Sequence, residues 1–302
     1  MGEHDVFSIF PEVLREPLER AGFTQKNLQE IRVRAERPLI VRNNGRESVL
    51  KRCFTGAELD EILAYLGNYS LYAWEDEIRQ GFLSLPGGHR VGLAGKTVLE
   101  DGKVRTLSEV SSLNIRFAHE RKGCADAVLP YLREEGRPFH TLIVSAPGRG
   151  KTTLLRDCIR QISDGNDVYP GMTVGLVDER SEIVGSFRGI PCNDVGLRTD
   201  VLDACPKAEG LMMLIRSMAP DVVEVDEVRG EADLAALQHA MNCGCVLLAT
   251  AHGDSMEELR RKPVLGEMVE AAMFERYVFL ENGRTPGLGG AILDGHCRSV
   301  KS

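Results

Sequence analysis

Residues 140–153 read His-Thr-Leu-Ile-Val-Ser-Ala-Pro-Gly-Arg-Gly-Lys-Thr-Thr, and this run constrains the fold more than any other part of the chain. A short apolar stretch, Leu142 to Val144, enters a tight turn that ends in Gly150-Lys151-Thr152. A helical spacing of apolar residues, Leu154, Leu155, Cys158, Ile159 and Ile162, follows at once. Strand, small-residue loop and helix in that order are the setting of a phosphate-binding loop. The loop Ser145, Ala146, Pro147, Gly148, Arg149, Gly150, Lys151, Thr152 and Thr153 would cradle the phosphates of ATP with its backbone N–H groups, and the helix dipole would add to their attraction. Lys151 would reach the β- and γ-phosphates, and the Thr152 hydroxyl would ligate Mg²⁺. The consensus has glycine where this chain has Ser145; serine is small, and we read it as a tolerated variant. A plain glycine turn capping an ordinary helix has the same residues, so the reading depends on what the rest of the chain supplies.

The chain of 302 residues suggests two domains. Its 43% hydrophobic and 27% charged residues are those of a soluble globular protein. A formal net charge of −8 argues against a protein that coats nucleic acid, and no nucleic-acid partner is expected. The eight cysteines include no C-x-x-C pair and suit buried thiols in a reducing cytosol. Met1 to Asp5 show no basic region ahead of an apolar run, so no signal peptide is read there. No apolar run approaches the ~20 residues of a membrane helix, so any membrane role would come through partners.

Residues 1–122 read as one α+β unit. Helices are expected at 11–21 and 56–66, and strands at 31–34, 39–41, 82–85, 90–93 and 113–117. Residues 123–302 read as an α/β unit, entered through a helical linking region at 123–138 with its helix at about 125–132. Short apolar runs at 141–145, 172–177, 222–226, 246–251 and 276–280 alternate with helical patterns, the rhythm of a mainly parallel sheet.

Three of those runs end in polar side chains. Val222 to Val225 runs into Asp226-Glu227, 75 residues after Lys151. There Asp226 would hold the Mg²⁺ shell and Glu227 would position or deprotonate water. Glu224, a charge within the strand, is awkward in a buried sheet, and an arginine partner is expected for it. Val174 to Val177 runs into Asp178-Glu179, making Glu179 and Glu182 candidates for the same site. Val246 to Ala249 runs into Thr250-Ala251-His252, where Thr250 and His252 would sense the γ-phosphate. Residue type alone leaves open which carboxylate is the base. It also leaves open which of Arg90, Arg116, Arg121 and Arg216 would act on a neighbouring subunit's nucleotide.

The order of these motifs resembles that of the type II and type IV secretion ATPases. Residues 178–182 resemble their aspartate box, 226–229 their second nucleotide motif and 250–252 their histidine box. Nearly the whole chain further resembles the stage III sporulation protein AA family of endospore-forming bacteria. The resemblance is carried by Glu30-Ile31-Arg32-Val33-Arg34, Arg37-Pro38-Leu39, Gly88-His89-Arg90-Val91-Gly92, Asn114-Ile115-Arg116 and Asp194 to Asp200. It implies a RecA-like P-loop ATPase core with a smaller N-terminal α+β domain. It also implies a homo-oligomeric, hexameric ring and integral-membrane channel proteins of the same sporulation operon as partners, at the cytoplasmic base of a channel between mother cell and forespore. In this chain Asp226 stands where many secretion ATPases have glycine. A nucleic-acid-stimulated motor and a non-hydrolysing, nucleotide-dependent scaffold are the alternatives to an ATP-hydrolysing motor, whose work would come from movement of the N-terminal domain against the ATPase domain.

Overall fold

Two compact units, Met1–His119 and Glu120–Ser302, make up the chain. The computed structural model describes residues 6–24, 27–69, 74–186, 189–280 and 290–301; Met1 to Asp5, read above for a leader, lie outside these.

In the first unit, strands β1 (Leu28–Arg34), β2 (Pro38–Asn43), β3 (Arg46–Cys53), β4 (Phe82–Leu85), β5 (His89–Glu100) and β6 (Lys103–Arg116) form one antiparallel sheet, in the order β3-β2-β1-β6-β5-β4. Alternation along β1 buries Ile31 and Val33 in a core with Leu14 and Leu18 of α1 (Glu12–Arg20) and with Leu59 and Ile62 of α2 (Gly56–Leu66). Helix α2 starts where it does because Thr55 Oγ1 accepts the Glu58 N–H at 3.2 Å while the Glu58 carboxylate accepts the Thr55 N–H at 2.8 Å. A short helix, α3 (Glu75–Arg79), precedes β4. All five expected strands overlap observed ones, but β5 and β6 run on together to Glu100 and Lys103, and the end of β5 from Ala94 is exposed.

The second unit begins differently from the expectation. Where a helix was expected at about 125–132, the chain runs through successive turns into a 3₁₀ turn at Leu129–Leu132. Pro130 has no N–H to donate and disfavours helical backbone at the residue before it. The apolar spacing is still used: Ala125, Val128, Leu129 and Leu132 are buried with the core residues of the helix that follows the loop. A two-stranded hairpin, β7 (Arg133–Glu134) and β8 (Arg137–Pro138), comes next.

Then come β9 (Thr141–Val144), β10 (Val174–Asp178), β11 (Thr199–Asp203), β12 (Val222–Val225), β13 (Val246–Ala251), β14 (Arg276–Phe279), β15 (Ile292–Asp294) and β16 (Ser299–Lys301), in one sheet of order β11-β10-β12-β13-β9-β14-β15-β16. β11 through β14 in that order are parallel, and β15 and β16 are antiparallel additions. Helices α4 (Lys151–Asp164), α5 (Lys207–Met218), α6 (Glu231–Asn242), α7 (Met256–Arg261) and α8 (Pro263–Glu270) complete the unit. Both faces of the sheet are buried, which is why its strands read as unbroken apolar runs. Ile143, Leu176, Val222 and Leu248 share one core with Leu154, Leu155 and Ile159 of α4. Leu142, Val177, Val223 and Leu247 share the other with Leu211 and Leu214 of α5 and Leu234 and Leu237 of α6. Among the described residues, no helix is long and apolar enough to cross a membrane.

Candidate nucleotide site

Four parallel strands, β9, β10, β12 and β13, end on the same edge of the sheet, and each end carries one of the polar motifs. β9 delivers the loop. Gly148 and Gly150 take left-handed backbone angles, φ 74° and 90°, that only glycine adopts without strain. Ser145 does not; its backbone extends the sheet, donating its N–H to the Ala251 carbonyl and accepting the Gly253 N–H, each at 3.3 Å. A glycine is therefore not needed at position 145. The first bond inside α4 runs from the Leu154 N–H to the Gly150 carbonyl at 2.9 Å. The N–H groups of Lys151, Thr152 and Thr153 thus have no acceptor within their helix and point out of its positive end.

Lys151 is almost fully buried. Its ammonium donates to the carbonyls of Ser145 at 2.9 Å and Ala146 at 3.4 Å, and to His252 Nδ1 at 2.9 Å. Burial pushes its pKa down, against the opposing charges of Asp226 and Glu227. An ammonium has only donors, so His252 Nδ1 is the acceptor and His252 Nε2 carries the ring proton. Nε2 lies 3.0 Å from Glu227 Oε1. The other carboxylate oxygen of Glu227 pairs with Arg229. Lys151, His252, Glu227 and Arg229 thus form one line of polar contacts from the loop to the end of β12. Burial alone would raise the Glu227 pKa; the hydrogen bond and charge of Arg229, with His252 and Arg180, outweigh it and hold the carboxyl below its ordinary value.

Thr250 organises the turn after β12. It is fully buried, donates its hydroxyl to Asp226 Oδ1 at 2.6 Å and accepts the Glu227 N–H at 2.9 Å. With its hydroxyl engaged on both sides, Thr250 ties the Asp226 carboxylate to the Glu227 N–H. Arg149, expected among the phosphate-binding residues, turns its side chain to Asp254 at 2.9 Å, leaving its backbone to the loop.

At the end of β10, Asp178 is buried and accepts the N–H groups of Glu182, Ile183 and Val184, each at 2.9 Å. Burial raises its pKa in spite of these three bonds. Asp178 therefore folds the following loop, and Glu182 is an exposed residue of that loop. Glu179 points to Lys207, 3.2 Å from its Oε2. Glu224 corrects another expectation. It is fully buried, and among the described residues neither carboxyl oxygen has a hydrogen-bond partner and no arginine meets it. Burial first, then the charges of Asp226 and Asp178, raise its pKa well above the usual carboxylate value, with Lys207 the opposing charge.

Sequence reasoning missed Lys207 and gave Arg229 no role. The one signal for Lys207 was a cation in the first turn of a helix, where the dipole disfavours it. Of the arginines considered for a neighbour's nucleotide, Arg90 lies over the Phe82 ring, 3.6 Å from its centroid, and Arg216 is exposed on α5. Among the described residues, no group of three or more His, Cys, Asp and Glu could hold a metal by itself. Mg²⁺ needs only one or two protein ligands and completes its shell with phosphate and water. Thr152 opens α4 beside Lys151, and Asp226 faces the same strand edge, so the residues present fit nucleotide and Mg²⁺.

The family described as sporulation stage III, protein AA matches residues 2–300. Stage III sporulation protein AA of Bacillus subtilis (strain 168) is 41% identical over 292 residues, 96% of this chain and 95% of that protein. The uncharacterised protein ycf45 of Porphyra purpurea is 26% identical over 268 residues, 87% of this chain and 43% of that protein. Among solved structures, the ATPase DotB of Legionella pneumophila superposes with a TM-score of 0.61 at 17% identity, covering 89% of this chain and 76% of that one. The pilus retraction motor PilT with bound ADP gives 0.61 at 17% identity, covering 96% and 82%. At such identities the likeness is one of fold, and the fold is that of the RecA-like P-loop ATPases.

Proposed function

We propose that this chain, which belongs to the sporulation stage III protein AA family, hydrolyses ATP with Mg²⁺ as a secretion-type motor. The observation that carries this reading is the contact line from Lys151 through His252 to Glu227, at 2.9 and 3.0 Å, which joins the phosphate loop to a strand-end carboxylate.

The loop N–H groups and the start of α4 bind the phosphates, and Lys151 exchanges its loop carbonyls for phosphate oxygens. Thr152 and Asp226 would hold Mg²⁺, which would supply positive charge to offset the charge that develops on the phosphates. Glu227, ionised at neutral pH, orients the attacking water and accepts its proton; Glu179 is the second candidate for that role. His252 touches both Lys151 and Glu227, so a change at the phosphates is passed to the carboxylate through one ring. Arg229 holds Glu227 from its other side.

As a motor the chain works as a homo-oligomer, a hexameric ring, with integral-membrane channel proteins of its sporulation operon. Its place is the cytoplasmic side of a channel between mother cell and forespore. A net charge of −8 suits protein rather than nucleic-acid cargo. Steady-state phosphate release tests the enzymatic reading: release with Mg²⁺ that stops in excess chelator supports it, and nucleotide binding without any release leaves a scaffold instead.

A further inference from the structure

Lys207 stands where helix stability would not put it. It is the first residue of α5, after Pro206 at the cap, where the dipole repels a cation. Only 6% of it is exposed, so its ammonium has given up most of its water. Two contacts compensate. Its Nζ donates to the Glu227 carbonyl at 2.8 Å and lies 3.2 Å from Glu179 Oε2. It is also the cation whose charge acts on the buried Glu224.

Glu227 needs such support. Its backbone is left-handed, φ 59°, a conformation that costs a non-glycine residue free energy and persists only when its surroundings impose it. Thr250 takes its N–H and Lys207 takes its carbonyl, so both polar backbone groups are held by side chains from other elements. The same ammonium ties down Glu179 from β10. One buried side chain on α5 thus couples the turn after β12 to the end of β10, the places of the two candidate carboxylates.

We infer that Lys207 is a positioning residue for hydrolysis. It fixes the left-handed turn that aims Glu227, and through Glu179 it locks the neighbouring strand end to that turn, without touching nucleotide. The inference rests on the ATP-hydrolysing reading above.

The test uses the full chain with Lys207→Met, Lys207→Arg, Glu179→Gln and the Lys207→Met/Glu179→Gln double variant. Lys207→Met should lower kcat at least about tenfold, as loss of alignment does. KM and affinity for a fluorescent non-hydrolysable ATP analogue should stay within about twofold, because the loop and Lys151 are untouched. Lys207→Arg should restore part of the loss, and the double variant should lose less than the product of the single losses, since both remove one link. Should the methionine variant not fold, Lys207→Gln keeps a donor for the Glu227 carbonyl while removing the charge beside Glu179, and the same split applies to it. Wild-type kcat in the variants, or a loss of analogue affinity parallel to the loss of kcat, overturns the inference alone. A wild type that releases no phosphate overturns the ATP-hydrolysing reading and the inference with it.

Discussion

Glu224 is the residue that sits worst in its surroundings. Its carboxyl is fully buried with no hydrogen-bond partner among the described residues, and burial there keeps it protonated above the usual range. Replacing an unsatisfied buried polar group by an apolar one of similar volume removes its desolvation cost. Glu224→Leu should therefore raise the thermal midpoint, by the equivalent of about 1–2 kcal/mol. A strongly lowered midpoint would show that the carboxyl has a partner that the geometry here does not contain. His89 in the first unit makes a second prediction. Burial first, then the charge of His119, lowers its pKa to about 4, and its Nδ1 accepts the Ala118 N–H at 3.1 Å. A base with a lowered folded pKa stabilises the protein fully above its unfolded value of about 6.5, and that stability is lost as pH falls toward 4. Acidification from pH 7 to pH 5 should thus lower stability by up to about 1.4 kcal/mol per pH unit from this group, and His89→Gln should flatten the slope. Equal slopes in denaturant titrations of the two proteins would contradict it. The places of Lys151, Asp226, Glu227 and His252 beyond the strand ends were readable in the sequence because each follows an apolar run. Lys207 went unread, and the contacts of Thr250 with Asp226 and Glu227 with it, for one reason: both depend on which strand ends are neighbours in the sheet, and no local pattern records that.

Elements were legible where one physical signal dominated. The central strands β9, β10, β12, β13 and β14 are buried on both faces and so announce themselves as apolar runs, and the Thr55 and Glu58 pair marks the start of α2. β11 reads Thr-Asp-Val-Leu-Asp and is only half-buried, so its pattern is too mixed to stand out. The outer half of the β5–β6 hairpin is exposed, and exposure removes the alternation that identifies a strand. At 125–132, apolar spacing suggested a helix that Pro130 does not permit. The start of α4 makes a prediction at this scale. Gly150 caps it at φ 90°, and an alanine there would be strained by about 1–2 kcal/mol. Gly150→Ala should lower the thermal midpoint and weaken binding of a fluorescent ATP analogue together, because the strained residue shapes the loop. Unchanged affinity would mean that the loop conformation is not set by this glycine.

For the molecule as a whole, family membership and the RecA-like fold agree with the sheet order, which sets β9 beside β13 and leaves β12 one strand further out. That order is what lets Lys151 reach Glu227 through His252: the β13 end lies between the loop and the acid. The proposed hydrolysis belongs to one site. Phosphate release should be measured for the wild type and for Lys151→Ala, at matched high protein concentration with saturating ATP and Mg²⁺. The wild type should release phosphate steadily, and the variant should lose at least about a hundredfold, the scale of losing an electrostatic contact to the transferring phosphoryl group. Equal rates in the two proteins, or none in either, would contradict it.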